Sequence, residues 1–301
     1  MLNFKKLTMD DIEIVRPYFE YSRSNNCDNT VGGSVMWADF FNTRYAIVER
    51  TLIFCVSFLD KGECFTVPIG ESVNHVLELI CKYCKENNIP LQFVAATERD
   101  IAVVEKKFEV EKELLPDWSD YVYNAEDLIN LSGRKYHGQK NHMNYFKKNF
   151  PNYAYEEISQ DNINEVKDFL IEFSKTESKE SSIFEEELKK TKEVLDNNDK
   201  YKFFGLMLKV DGKICAFSMG ERVKHTLFAH IEKADKSKRG AYPMIMNEFA
   251  KRFGVGMHFI NREENAGDKG LESSKLQYHP CTILNKYNLK VNCKRCEGNN
   301  V

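Results

Sequence analysis

The chain has 301 residues, 42% of them apolar and 30% charged, with a formal net charge of −3 at neutral pH. That supplies core material for one large or two ordinary globular domains, and the slight acidity excludes a surface given over wholly to nucleic acid. No stretch approaches the roughly 18 uninterrupted apolar residues of a membrane-spanning helix.

The opening MLNFKKLTMDD has no apolar run ahead of a small-residue cleavage site, so no signal peptide is expected. Thr8 with Asp11 three residues later reads as a helix cap, and Ile12, Val15 and Phe19 recur at helical spacing behind it. The polar run SRSNNCDNT leads to a second short helix expected over 34–40. Three β-rich runs follow at 44–49, 51–59 and 64–67, with Asp60-Lys61-Gly62 as a hairpin turn. Residues 73–85 predict a helix, because Val73, Val76, Leu77, Ile80, Cys81 and Cys84 fall on one stripe. A strand over 91–96, a helix over 98–108 and a strand over 119–123 complete the first half.

From Leu128 to Tyr155 there is no Asp or Glu. The segment SGRKYHGQKNHMNYFKKNF carries Arg134, Lys135, Lys140, Lys147 and Lys148, with His137 and His142. This basic bridge can bind tRNA phosphates, touch an anionic acceptor or membrane surface, or only link domains. Tyr136, Tyr145 and Phe146 are expected to anchor it to the body.

The second half repeats the first order. A strand over 153–158 and a cap at Ser159 precede a helix marked by Ile163, Val166, Phe169, Leu170 and Phe173. A charged helix runs through Ile183, Leu188 and Leu195. Strands at 202–210, 214–221 and 226–232 follow, the first two joined by Asp211-Gly212, a strong hairpin signal. A helix over 242–253, a strand over 257–260, a helix over 269–278 and a strand over 282–291 close the repeat. The expectation is a duplicated mixed α/β fold. Residues 1–127 form one copy, 128–150 the bridge, 151–292 the second copy and 293–301 a polar tail.

The bridge GRKYHGQKNHMNYFKK, the run KRGAYPMIMNEFAKRF and the later NREENAGDKGLESSKLQYHP together resemble the phosphatidylglycerol lysyltransferase C-terminal-domain-like family. That resemblance covers nearly the whole chain. It implies a tandem GNAT (acetyltransferase-type) fold related to the Fem-type aminoacyltransferases, and acyl or aminoacyl transfer with aminoacyl-tRNA as donor. The characterised lysyltransferases carry a membrane-spanning region before this domain and this chain has none, so the acceptor is left open between a small molecule, a peptide and a lipid headgroup.

In a GNAT unit two central parallel strands splay apart to hold the acyl donor, and a helix N-terminus receives its phosphates. In the second copy that helix start follows the strand over 226–232, where Lys238, Arg239, Gly240 and Ala241 are expected to bind donor phosphates. Tyr242 stands where the usual acetyl-CoA signature has a second small residue. The matching first-copy loop, Ile69-Gly70-Glu71-Ser72, has no cation, which places the chemistry in the second copy and leaves the first as a degenerate scaffold.

Lys275, Tyr278 and Pro280 form K-x-x-Y-x-P, similar to an element near the end of the lysyltransferase domain. The resemblance implies that Lys275 stabilises the oxyanion or Tyr278 protonates the leaving group; the alternative is a surface lysine and a packed tyrosine. Asn261, Arg262, Glu263 and Glu264 follow a strand at its carboxyl end, where ligands sit in α/β sheets. There Glu263 or Glu264 can act as base and Arg262 can bind a carboxylate, or the four are a plain charged turn. His230 faces the same cleft or packs in the core.

Two C-x-x-C pairs, Cys81/Cys84 and Cys293/Cys296, have zinc-ligand spacing. The first lies on an apolar helix stripe and nothing brings the pairs together, so no metal is expected. Nine thinly spread cysteines fit reduced thiols in a bacterial cytoplasm. The expected activity is aminoacyl transfer from aminoacyl-tRNA to an amine or hydroxyl, with no tightly bound cofactor. An acetyl-CoA-dependent N-acetyltransferase and a non-catalytic anion-binding module are the alternatives.

Overall fold

The computed structural model of the protein describes residues 2–57, 62–176 and 182–292. The turn residues Asp60 and Lys61, the pair Cys293/Cys296 and the tail 293–301 lie outside the described residues. The chain divides into two compact units. The first takes the chain up to Asp120, Glu264–Asp268 and the chain from Ile283; the second takes Tyr121–Glu263 and Lys269–Thr282.

The first half runs β1 (Lys5–Lys6), α1 (Ile12–Val15), α2 (Val31–Ser34), β2 (Arg44–Val48), β3 (Thr51–Ser57), β4 (Glu63–Phe65), β5 (Ile69–Gly70), α3 (Val73–Glu86), β6 (Gln92–Ala96), α4 (Glu98–Val104) and β7 (Glu109–Leu114). There follow β8 (Asp120–Asn124), α5 (Ala125–Asn130), α6 (His137–Asn149), β9 (Tyr153–Glu157), α7 (Ile163–Thr176), α8 (Ser182–Asp196) and α9 (Asn198–Tyr201). The chain ends through β10 (Phe204–Val210), β11 (Lys213–Val223), β12 (Thr226–Ala234), α10 (Ala241–Phe253), β13 (Phe259–Asn261), α11 (Lys269–Leu276), β14 (Thr282–Leu284) and β15 (Tyr287–Asn292).

The first sheet has the order β1-β2-β3-β4-β6-β15-β7, with β5 paired to β3; the second has β14-β8-β13-β12-β11-β10-β9. In each unit a strand, a helix and a strand make a parallel crossover. β4 and β6 meet at Phe65↔Phe93 around α3, and β12 and β13 meet at Thr226↔Phe259, Leu227↔Ile260 and Phe228↔Asn261 around α10. This is the duplicated mixed α/β architecture that the repeated element order predicts, and it fits the tandem GNAT fold that the resemblance implies. No helix among the described residues is long and apolar enough to cross a membrane.

Two strands are exchanged relative to expectation. β8, expected to close the first copy, lies antiparallel to β13 in the second sheet, with Phe259↔Asn124 and Asn261↔Val122. β15, expected to close the second copy, lies antiparallel to both β6 and β7 in the first sheet. The compact units therefore do not break at residues 127 and 150, and α6 belongs wholly to the second unit. Alternation reveals that a strand is half buried, but not which sheet receives it.

Local chemistry explains most of the elements. Asp211 (φ 50°) and Gly212 (φ 78°) both take left-handed backbone between β10 and β11, the conformation a two-residue hairpin turn needs. Along α3, Val76, Leu77, Ile80, Cys81 and Cys84 enter a core with Ile53, Phe65 and Phe93, so this cysteine pair acts as small apolar side chains. β7 escapes the sequence reading because EVEKEL is exposed along almost its whole length; its charges cover a sheet edge. The helix expected over 34–40 is instead α2, which starts early because the Thr30 side chain accepts from the Gly33 N–H.

Candidate functional site

β12 pairs with β11 as far as Ala216↔Ala234, but its pairing with β13 ends at Phe228↔Asn261. β13 itself ends at Asn261, while β12 runs on beside β11 to Ala234. A bulge lies just past the last β12–β13 pair. Gly220 faces Ala229 and Met219 faces Ile231, so His230 is the extra residue. Gly220 allows this close approach, since a Cβ there would lie 1.9 Å from the Phe228 carbonyl oxygen.

Two buried ion pairs join β12 to the residues that follow β13, one on each face of the sheet. Ser218 and Glu232 face each other across β11 and β12. By alternation they point the same way as Ala216 and Ala234, into the core beneath α10. There Glu232 Oε2 accepts from Arg262 Nε at 2.9 Å and lies 2.8 Å from Nη2. The guanidinium sits over the rings of Tyr278, at 4.9 Å, and Tyr123, at 5.9 Å. Burial opposes the Arg262 charge, and Glu232 more than offsets it, so its pKa lies above the usual arginine value.

Phe228 alternates away from the core residues Leu227 and Ala229, and the His230 ring stacks on it at 6.0 Å. On that other face His230 Nδ1 is 2.6 Å from Glu263 Oε1, and Nε2 is 3.1 Å from Glu221 Oε1. Burial lowers the pKa of the ring, but the two carboxylates prevail and raise it to about 10. His230 is therefore an imidazolium at neutral pH. Its folded pKa exceeds the unfolded value of 6.5, so its stabilisation is complete below pH 6.5 and is lost as pH climbs through about 10. In melts of wild type and His230→Gln, the wild-type advantage is expected to shrink across that range. A gap that stays constant contradicts the charged histidine.

The residues expected at the strand end separate. Asn261 is fully buried, and its Oδ1 accepts from the Glu263 N–H at 2.6 Å, which fixes Glu263 in left-handed backbone at φ 58°. Glu264 belongs to the first unit, where its Oε2 is 3.7 Å from Cys27 Sγ. Lys275 is buried, and its Nζ donates to the carbonyls of Arg262 at 2.5 Å and Glu263 at 3.1 Å. With those bonds it pins the loop after β13, which makes it a positioning residue. Tyr123 supports it by donating from its hydroxyl to the Lys275 carbonyl at 2.8 Å. Tyr278 is packed against Arg262, and burial raises its phenol pKa.

The basic loop docks on α6. Gly240 is the N-cap of α10 at φ 96°, and a Cβ there would lie 2.3 Å from the His142 carbonyl oxygen. Arg239 lies over the Tyr145 ring at 4.8 Å, and its Nε donates to His142 Nδ1 at 3.5 Å. Lys238 Nζ sits 5.2 Å from the Phe150 ring centroid. The phosphate cradle is poorer than expected, because the Ala241 N–H donates to the Lys238 carbonyl at 2.9 Å and Pro243 has no N–H to give. Tyr242 packs against the core beneath α10.

The bridge cations do not form one stripe. Lys140 and Lys147, seven residues apart, share a flank of α6 away from His142 and Tyr145. Lys148 and Arg134 are exposed, and Lys135 pairs with Asp127 at 3.3 Å.

One cluster in the first unit has no sequence signal, because its members stand at positions 27, 28, 120, 264 and 286. Cys27, Asp120 and Glu264 bring Sγ and carboxylate oxygens within 4.8 Å of one another, a donor set able to hold a divalent cation. Lys286 Nζ already lies among them, 2.7 Å from Asp120 Oδ1 and from Asp28 Oδ2, and 3.2 Å from Cys27 Sγ. Burial opposes the ammonium, yet Asp120 and Asp28 raise its pKa well above the usual lysine value. Burial pushes the Cys27 thiol well up, so it stays protonated.

Residues 19–290 match the family model described as phosphatidylglycerol lysyltransferase, C-terminal. A conserved protein of unknown function from Bacteroides thetaiotaomicron is 30% identical with a TM-score of 0.90, over 97% of this chain and 100% of that one. L-PGS from Bacillus licheniformis has the same fold, with a TM-score of 0.66 at 14% identity, over 95% of this chain and 93% of that one. An uncharacterised protein of Mycoplasmoides gallisepticum is 22% identical over 195 residues, which span 63% of this chain and 61% of that relative's length.

Proposed function

The chain belongs to the phosphatidylglycerol lysyltransferase C-terminal family, and from that premise we propose that it transfers an aminoacyl group from aminoacyl-tRNA to an amine or hydroxyl acceptor. The family is one of acyltransferases. The observation that carries the reading is the pair of buried ion contacts, Arg262–Glu232 and His230–Glu263, that joins β12 to the residues at the carboxyl end of β13. The acceptor nitrogen or oxygen bonds to the ester carbonyl carbon, and the ribose oxygen leaves with a proton. Arg262 is the cation for the developing oxyanion. Glu263, whose Oε1 is held by His230, offers its other oxygen to the acceptor proton. Lys275 keeps both on station through their backbone carbonyls.

Two features favour an aminoacyl-tRNA donor over acetyl-CoA. The start of α10 has few amides to spare for a pyrophosphate, with the Ala241 N–H spent on the Lys238 carbonyl and a proline at 243. Arg239, Lys238 and the exposed Lys147 and Lys148 suit a polyanionic backbone instead. Filter retention of tRNA is expected to weaken steeply as salt rises, and labelled aminoacyl-tRNA is expected to lose its amino acid to added amines. Strong thermal stabilisation by CoA with no tRNA retained overturns this reading in favour of an N-acetyltransferase.

A further inference from the structure

We propose that Ser218, Glu232 and Arg262 form a subsite that selects acyl groups bearing a free α-ammonium, an inference that rests on the transfer reading above. Among the described residues of the second unit, three buried side-chain polar atoms have no hydrogen-bond partner: Ser218 Oγ, Glu232 Oε1 and Arg262 Nη1. Ser218 is 0% and Arg262 7% exposed. They occupy one place. Ser218 and Glu232 are direct partners across β11 and β12, with Cβ atoms about 5 Å apart in such a pair. Glu232 and Arg262 are bonded to each other through Oε2, Nε and Nη2, so each keeps one unmet atom.

The three atoms specify a ligand. A carboxylate oxygen needs a donor, a guanidinium N–H needs an acceptor, and a hydroxyl serves as either. An α-ammonium beside a carbonyl offers a donor nitrogen and an acceptor oxygen three bonds apart. An acetyl group offers the acceptor alone and would leave Glu232 Oε1 unmet. The rings of Tyr123 and Tyr278 against Arg262 exclude water around the charge. All three atoms are closed to solvent, so a ligand reaches them only when the side chains packed around them move.

Calorimetric titration of the full chain with alaninamide, and with N-acetylalaninamide as control, tests the assignment. Alaninamide is expected to bind at least about tenfold more tightly, and Ser218→Ala and Glu232→Gln are each expected to lose most of that preference. Ser218→Ala leaves the Arg262–Glu232 pair intact, so it decides the matter should Glu232→Gln fail to fold. Equal binding of the two amides, no binding of either, or variants that keep the preference overturns the subsite and leaves the three atoms to water. Transfer assays separate the two proposals. Equal transfer from aminoacyl- and N-acetylaminoacyl-tRNA sinks the subsite and spares the transferase. Selective amide binding without transfer from any aminoacyl-tRNA does the reverse.

Discussion

Lys286→Ala is expected to destabilise the first unit by on the order of 3–5 kcal/mol, read as a lower denaturation midpoint in urea with little change in slope. The ammonium is fully buried and serves Asp120, Asp28 and Cys27 together. Asp120 is itself fully buried and accepts from the Cys27 N–H at 2.8 Å. Alanine removes the cation and leaves the acids unpaired in a medium that cannot solvate them, which is the costly half of a buried ion pair. The Lys286 pKa is raised in the folded state, so its contribution is complete below the unfolded lysine value and is lost only as pH rises beyond it. In the variant the unpaired acids can take up protons as pH falls, so the loss is expected to be larger at pH 8 than at pH 5. Lys286→Met combined with Asp120→Asn is expected to recover much of the stability, because the two charges leave together. A single variant within about 0.5 kcal/mol of wild type shows that the cluster does not hold the unit.

What the sequence disclosed tracks what is local in chain position. The hairpin at Asp211-Gly212, the α3 stripe and the strand–loop–helix passage into α10 are encoded by neighbours, and each appears where expected. The exchange of β8 and β15 is encoded by pairing partners far away in sequence, so the copies were legible while their last strands were misassigned. The site divides in the same way. Arg262, Glu263 and His230 were recognisable as polar residues beside a strand end, but the register that sets Ser218 opposite Glu232 was not. Lys275 reads as a cation in K-x-x-Y-x-P, but that two of its N–H donors go to the backbone carbonyls of Arg262 and Glu263 is not legible there. Glu264 follows Glu263 in sequence and yet serves Cys27 in the other unit.

Arg262→Lys is expected to lower kcat for aminoacyl transfer by about 10²-fold, while the melting temperature falls only a few degrees. Lysine retains the positive charge opposite Glu232, so no buried carboxylate is orphaned and the fold survives. What it cannot reproduce is the planar fork. Arg262 bonds Glu232 through Nε and Nη2 on one side while Nη1 is turned elsewhere, unpartnered and buried. A lysine held by Glu232 has no second, rigidly aimed N–H for a carbonyl oxygen. The loss falls on kcat because a carbonyl gains negative charge only as the acceptor attacks, so the missing donor is felt more in the transition state than in the bound donor. Glu232→Gln in the Arg262→Lys background is expected to add much less than it costs alone, since both changes remove one bonded pair. A variant with wild-type kcat shows that Arg262 merely ties the segment after β13 to Glu232 of β12. The oxyanion donor must then lie elsewhere in the second unit.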